Sequence, residues 1–446
     1  MASKDDKDRP LEALASGFRG RTLVTAKLAS KLGLAMVKRQ LGAGSDEPLI
    51  DSEQATQAAM RLVKEMGALK GLVMKFGQIA SYMPGALPPD AQRVLARLQS
   101  QSTAMAWPKV AEVLREELGG EAETLFEEFA QEPFAAASIG QVHRARHEGR
   151  EVAVKVQYPG IERALESDLG TLRVLAKMAS FGTAMDADEV VTELAERSLE
   201  ECDYRGEAEN QRLFSALWRD ERDYHVPAIV EERTSKRVLT SELCSGRGFH
   251  AFGDQATQEQ KDRAGRILFH ACFESLFRHG IFNGDPHPGN YLFREDGRVT
   301  FLDFGCIRRF PAEFIESWKV VAKSVLDDDK KRFREAMPAL GFVPDPKRFD
   351  WDAQWANMEY LYLPFKSQKP FTYTHEYVRE SYAKLLFDNP NQRKTAMPAE
   401  WVYLNRLQWG LNSVLAHLHA TGPWGDIWRA AVESKTTIVH RREDVR

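Results

Sequence analysis

Little in these 446 residues suggests a disulfide scaffold, a membrane span or a nucleic-acid surface. The four cysteines, Cys202, Cys244, Cys272 and Cys306, are scattered with no Cys-x-x-Cys pair. That pattern suggests neither a disulfide framework nor a zinc site, and it fits a reducing compartment. No run of about twenty apolar residues occurs, so no transmembrane helix is expected. A net charge of −4 supplies no overall attraction to nucleic acid, which is therefore not an expected partner. The acidic start Asp5-Asp6-Lys7-Asp8 argues against a signal or transit peptide, so the expected location is cytoplasmic, with at most peripheral attachment to an inner membrane. Ser-His-Asp order and paired glycosidase carboxylates are missing too. His143 and His287 have no partner at metal-ligand spacing, so structural roles are expected for both.

What is present concentrates in two short clusters. Asn283-Gly-Asp285-Pro-His-Pro-Gly-Asn290 places an Asp and an Asn five positions apart, and Asp303-Phe304-Gly305 follows after a short connection. A lone carboxylate at Asp285 can orient a hydroxyl or a water. Asn290 and Asp303 offer hard oxygens of the kind that hold divalent ions on a polyphosphate. Asp-Pro and Pro-Gly-Asn are also ordinary turn chemistry, and either cluster alone would suggest a loop. Between them, Tyr291 to Leu302 predicts a strand, an Asp-Gly turn and a second strand, which sets both clusters at neighbouring strand ends.

Upstream, Arg150-Glu-Val-Ala-Val-Lys155-Val-Gln alternates so that Val152, Val154 and Val156 share one face of a strand. Lys155 then points to the other face with Ala153 and Gln157, after a hairpin signal at Glu148-Gly149. A strand lysine is ordinarily just solvated. In combination with the later clusters, it is what a nucleotide-binding lobe uses to pair with phosphates.

Together these residues resemble the UbiB/ADCK family of atypical, protein-kinase-like proteins, also called aarF-domain kinases. The resemblance rests on Lys75-Phe-Gly77-Gln78 (a KxGQ motif), Ala135-Ala136-Ala137-Ser138-Ile-Gly140-Gln141-Val-His143, and Val-Ala-Val-Lys155. It continues through Glu201-Cys-Asp203-Tyr-Arg-Gly-Glu207, Asp285, Asn290 and Asp303-Phe-Gly305, in order from about Ser52 to beyond Phe310. It implies an α+β, protein-kinase-like two-lobed fold: a small lobe with an antiparallel sheet, a mostly helical large lobe, and an N-terminal helical extension that carries KxGQ and packs over the cleft.

The resemblance also assigns roles. Lys75, Gly77 and Gln78 form a lid or regulatory element, with Lys75 meeting the Glu201 and Asp203 carboxylates. Residues 135–138 replace the Gly-rich phosphate loop, and their methyl groups narrow the backbone conformations open to it. Ala137 tunes nucleotide preference. Glu207 is the helix carboxylate expected to hold Lys155, with Glu201 as its rival. Backbone groups near Glu242 to Cys244 form the hinge that meets the adenine edge, while Asn290 and Asp303 carry Mg2+ and Asp285 orients the attacking oxygen.

Along the chain, residues 1–50 form a basic amphipathic segment with Val24, Leu28, Leu32 and Met36 at helical spacing, suited either to an anionic membrane surface or to packing on the protein itself. A helical extension over 51–128 follows, then a kinase-like N-lobe over 129–243 and a C-lobe over 244–446. The expected ligands are ATP or ADP with Mg2+. The expected activity is that of a Mg-dependent ATPase or a small-molecule or lipid kinase that supports isoprenoid-quinone biosynthesis at a membrane. Quinone precursors, anionic lipids and quinone-biosynthesis proteins are the expected partners. Rival readings are an aminoglycoside- or choline-kinase-like phosphotransferase, which the Asn283–Asn290 string also resembles, and a nucleotide-gated scaffold without turnover. Conventional protein kinase activity is disfavoured, because Gly284 stands where the HRD arginine would be and the Gly-rich loop is missing.

Overall fold

The computed structural model describes residues 104–446 except 138, 164, 166–198, 368, 387–388, 393, 397–398 and 446. The basic segment over 1–50 and the lid residues Lys75, Gly77 and Gln78 therefore lie outside the described residues, as does Ser138. The described chain forms two compact units: residues up to Ala208 with Ile229–Leu243, and Glu209–Ala228 with Cys244–Arg446.

The first unit opens with α1 (Trp107–Leu118), which Pro108 starts by supplying a preset φ where no amide donor is needed. Gly119 ends it in the left-handed region, its N–H on the Arg115 carbonyl. Spacing of three and four residues puts Val110, Val113 and Leu114 on the buried face. Strands β1 (Glu128–Phe129), β2 (Ala135–Ala136), β3 (Gly140–His147) and β4 (Arg150–Gln157) follow.

The turn between β3 and β4 takes positive φ at Glu148 (49°) and Gly149 (73°), as the tightest hairpins require. This is the hairpin that Glu148-Gly149 predicts. All pairings in this sheet are antiparallel: β3 lies between β4 on one side and β1 and β2 on the other, and β4 also pairs with β6 (Val238–Glu242). Val152, Val154 and Val156 are buried beneath it, each worth roughly 1.5–3 kcal/mol of burial. α2 (Tyr204–Leu217) adds Tyr204 and Ala208 to the same core.

In the second unit the later turns of α2 supply Leu213 and Phe214 to another core. Here β5 (Tyr224–His225), β7 (Arg247–Gly248), β9 (Tyr291–Phe293) and β10 (Val299–Phe301) form a four-stranded sheet in the order β5-β10-β9-β7. The turn between β9 and β10 contains Gly297 at φ 82°, in line with the Asp-Gly signal. Helix α3 (Gln258–His279) begins with a reciprocal cap between Thr257 and Gln260 and ends at left-handed Gly280. The chain then enters β8 (Ile281–Asn283), which pairs antiparallel with β11 (Ile307–Arg309).

The rest is chiefly helical: α4 (Ala312–Leu326), α5 (Trp351–Leu361), α6 (His375–Leu386), α7 (Ala399–His417) and α8 (Trp424–Glu433). Their aromatics form the core, with Trp318, Trp355, Trp401, Trp424 and Trp428 buried and Phe365 stacked on Trp428 at 4.4 Å. The fold is thus α+β, with an antiparallel sheet in the first unit, the smaller of the two among the described residues, and helices dominating the second, the larger. No helix among the described residues is long and apolar enough to cross a membrane.

Candidate nucleotide site

In the smaller unit the alternation of β4 turns Lys155 away from the buried valines, as its sequence predicts. Its Nζ lies 2.9 Å from both carboxylate oxygens of Glu207, in the first turn of α2. The pair is largely desolvated, with side chains 16% and 6% exposed, and the ammonium also sits 4.8 Å above the Tyr204 ring. Of the two glutamates the sequence offers, the structure joins Lys155 to Glu207. Glu201 lies half-buried in the turn before the helix. Asp203 is held by Arg205, whose guanidinium and backbone N–H bond its carboxylate and lower its pKa.

The alanine loop is a strand-turn-strand. Ala135 pairs with Val142, Ala136 with Gln141, and the Ala137 N–H bonds the Gly140 carbonyl at 2.9 Å. Ala135 and Ala136 are exposed and Ala137 half-buried. His143 is fully buried behind them. Gln141 donates to its Nε2 at 3.0 Å and its Nδ1 meets the Ala130 carbonyl at 2.8 Å, while burial lowers its pKa. These contacts make it a neutral structural histidine. Glu242 closes β6, opposite Val152, and the half-buried Cys244 follows in the larger unit.

In the larger unit, the end of α3 and the buried Ile281 and Phe282 deliver the chain to Asn283 and the loop beyond it. Asn290 uses its side-chain NH2 on Asp285 twice, at 2.9 Å to the carbonyl and 3.2 Å to Oδ2. Its carbonyl Oδ1 is left as an acceptor. The Leu302 N–H bonds the Asn290 carbonyl at 2.9 Å and so ties the loop to the second cluster. Within that cluster, Asp303 Oδ1 accepts the Gly305 N–H at 2.9 Å, and the fully buried Phe304 anchors the triplet. Asn290 and Asp303 thus supply hard oxygens, the donor type that suits Mg2+.

Three further residues, Asn283, Asn210 and Gly284, organise these two clusters. Asn283 donates to the Asp303 carbonyl at 2.5 Å and accepts from the Asp285 N–H at 3.1 Å. Asn210, on α2, donates to the Phe304 carbonyl at 3.1 Å and accepts from Arg309 at the same distance. Gly284 bonds the Cys306 carbonyl at 2.7 Å, and a Cβ there would lie 3.1 Å from that oxygen and 3.3 Å from Sγ. That crowding is a local reason for glycine before Asp285. Asn283 and Gly284 both stand within the Asn283–Asn290 string, but nothing in the spacing signalled their bonds to Asp303 and Cys306, and Asn210 lies in no motif.

The ABC1 atypical kinase-like domain matches residues 97–337, more than half of the chain. The protein belongs to this family, the UbiB/ADCK atypical kinases. It is 32% identical over 407 residues to the mitochondrial atypical kinase COQ8B of Rattus norvegicus, covering 88% of this chain and 76% of the relative. Identity to the mitochondrial atypical kinase COQ8 of Saccharomyces cerevisiae is 27%, covering 81% and 73%. Against the mitochondrial atypical kinase coq-8 of Caenorhabditis elegans it is 29%, and there the match spans 51% of the relative. Among solved structures, Rv3197 of Mycobacterium tuberculosis, determined in complex with erythromycin, superposes with a TM-score of 0.66 at 29% identity, covering 86% of this chain and 97% of that one. The kinase-like domain of the family implies use of ATP or ADP.

Proposed function

We propose that the chain is a Mg-dependent ATPase or small-molecule phosphotransferase acting at a membrane in support of isoprenoid-quinone biosynthesis. The observation that carries this reading is the web in which Asn283 joins Asp303 to the Asp285 backbone while Asn290 binds Asp285. Phosphoryl transfer asks little covalent chemistry of a protein and much positioning of charge.

In this reading Lys155 grips the α and β phosphates. Glu207 holds that ammonium in one place in a desolvated setting. Asn290 and Asp303 would hold Mg2+, which when bound neutralises the polyphosphate. Asp285, its backbone fixed by Asn283 and its carboxylate by Asn290, orients the attacking oxygen of water or of a substrate alcohol. Ala135 to Ala137 cover phosphates more stiffly than glycines would, and Glu242 with Cys244 meets the adenine edge. The helical extension with Lys75, Gly77 and Gln78 acts as the lid, with Glu201 and Asp203 as its acidic partners.

Support for the quinone role comes from the UbiB/ADCK membership and from the relatives named COQ8. The test is phosphate release from MgATP, with and without anionic liposomes and with a panel of phenolic and isoprenoid quinone precursors. Release that rises with liposomes or precursors and disappears in Asp303→Asn supports the reading. Equal background release in every condition would make the chain a scaffold, and a stoichiometric phosphorylated alcohol would make it a kinase.

A further inference from the structure

Glycine is a poor helix former, yet Gly410 sits in the interior of α7. It is buried, and its surroundings account for the choice. A Cβ on Gly410 would lie 2.3 Å from Cγ of Pro286 and 3.3 and 3.4 Å from that ring's Cβ and Cδ. Helix backbone therefore touches the proline that directly follows Asp285. The helix cannot easily retreat, because Leu407, Leu411 and Val414 are buried in the core of the larger unit and Trp409 packs on Tyr382 at 4.6 Å.

Pro286 is well suited to transmit a push. Its ring fixes its own φ and restricts the backbone of the residue before it, which is Asp285. Asp285 in turn is held through its carbonyl by the His287 N–H at 2.7 Å and by Asn290 at 2.9 Å, with Asn290 also on its carboxylate at 3.2 Å. A displacement of the proline ring reaches all three contacts.

We propose that Gly410 is a positioning residue: by letting α7 close directly on Pro286, it sets where the Asp285 carboxylate stands. The inference rests on the proposed function for its kinetic consequence but not for its structural one. Gly410→Ala moves the loop rather than the helix. It lowers the rate of turnover more than nucleotide affinity, since Asp285 orients the attacking oxygen and does not grip the phosphates.

The experiment compares wild type, Gly410→Ala, Pro286→Ala and the double variant, with two readouts on each. One is kcat and KM for phosphate release from MgATP. The other is hydrogen exchange of backbone amides over residues 281–291. We expect Gly410→Ala to lower kcat about tenfold or more with KM changed less than about threefold, and to speed exchange over 281–291. The double variant, having lost the ring that the new methyl strikes, should regain turnover and protection relative to Gly410→Ala, a non-additivity that a general loss of helix packing would not produce. Should wild type itself release no phosphate, the catalytic reading fails while exchange still decides the contact. Unchanged exchange in Gly410→Ala, or effects of the two single changes that simply add, would overturn the proposal.

Discussion

Asn283 donates its side-chain amide to the backbone carbonyl of Asp303 at 2.5 Å while its oxygen accepts the Asp285 N–H. One asparagine therefore fixes the spacing of two acidic residues that the chain separates by a hairpin. Asn283→Ala should leave the Asp303 carbonyl and the Asp285 amide without this partner and lower phosphate release by about ten- to a hundredfold. Asn283→Asp keeps the acceptor for the Asp285 amide but loses the donor to Asp303, and should recover only part of the loss. Steady-state kinetics beside a thermal melt would separate misplacement from unfolding.

Lys155 and Glu207 form a desolvated ion pair, so removing one partner is worse than removing both. Lys155→Met should destabilise the chain by roughly 3 kcal/mol, because the Glu207 carboxylate is left buried without its cation. Adding Glu207→Leu should restore part of that stability while nucleotide binding remains lost. Denaturant unfolding of both variants checks the ordering, and a double variant less stable than Lys155→Met would contradict it.

Burial lowers the pKa of His143 below its ordinary 6.5, against the opposing pull of the Ala130 carbonyl and Glu132. The unfolded chain therefore takes up this proton first. Stability from the neutral ring is present above about pH 6.5 and is lost as pH falls from there toward the lower folded value. Melting temperature should drop between about pH 7.5 and 5.5, and His143→Gln should flatten that part of the profile while lowering stability at the upper end.

Lys319 of α4 is 3% exposed, and its Nζ bonds the Ser434 carbonyl and Thr436 Oγ1 at 2.6 Å each and Glu316 at 3.3 Å. It pins the segment after α8 against the core. Lys319→Met removes the donor from those acceptors and should cost about 2 kcal/mol. Limited proteolysis should then cleave near residues 434–440 faster than in wild type. Equal cleavage would show that the backbone bonds from Thr437 to Arg278 and from Val439 to His279 suffice.

Much of the fold was legible because its signals are local. The alternation of Val152, Val154 and Val156 predicts the buried face of β4, and Glu148-Gly149 and Asp296-Gly297 mark two hairpins. Each depends on a few neighbouring residues whose backbone preferences agree. The candidate residues Asp285, Asn290, Asp303 and Lys155 were likewise visible by type and spacing, since Asp285 and Asn290 are five positions apart on one loop.

What the sequence alone determined was an inventory: which groups could carry phosphate and metal chemistry, which strands and hairpins would form, and which family the order of motifs matches. Only the tertiary structure decided who meets whom. It joined Lys155 to Glu207 across 52 residues, gave Asn283 and Asn210 their bonds to the Asp303-Phe304 backbone, and laid Gly410 against Pro286. The reason is physical. Local preferences act over a turn or a strand, whereas contacts between remote segments depend on how whole helices and sheets bury their apolar faces, and no short pattern in the chain encodes that packing.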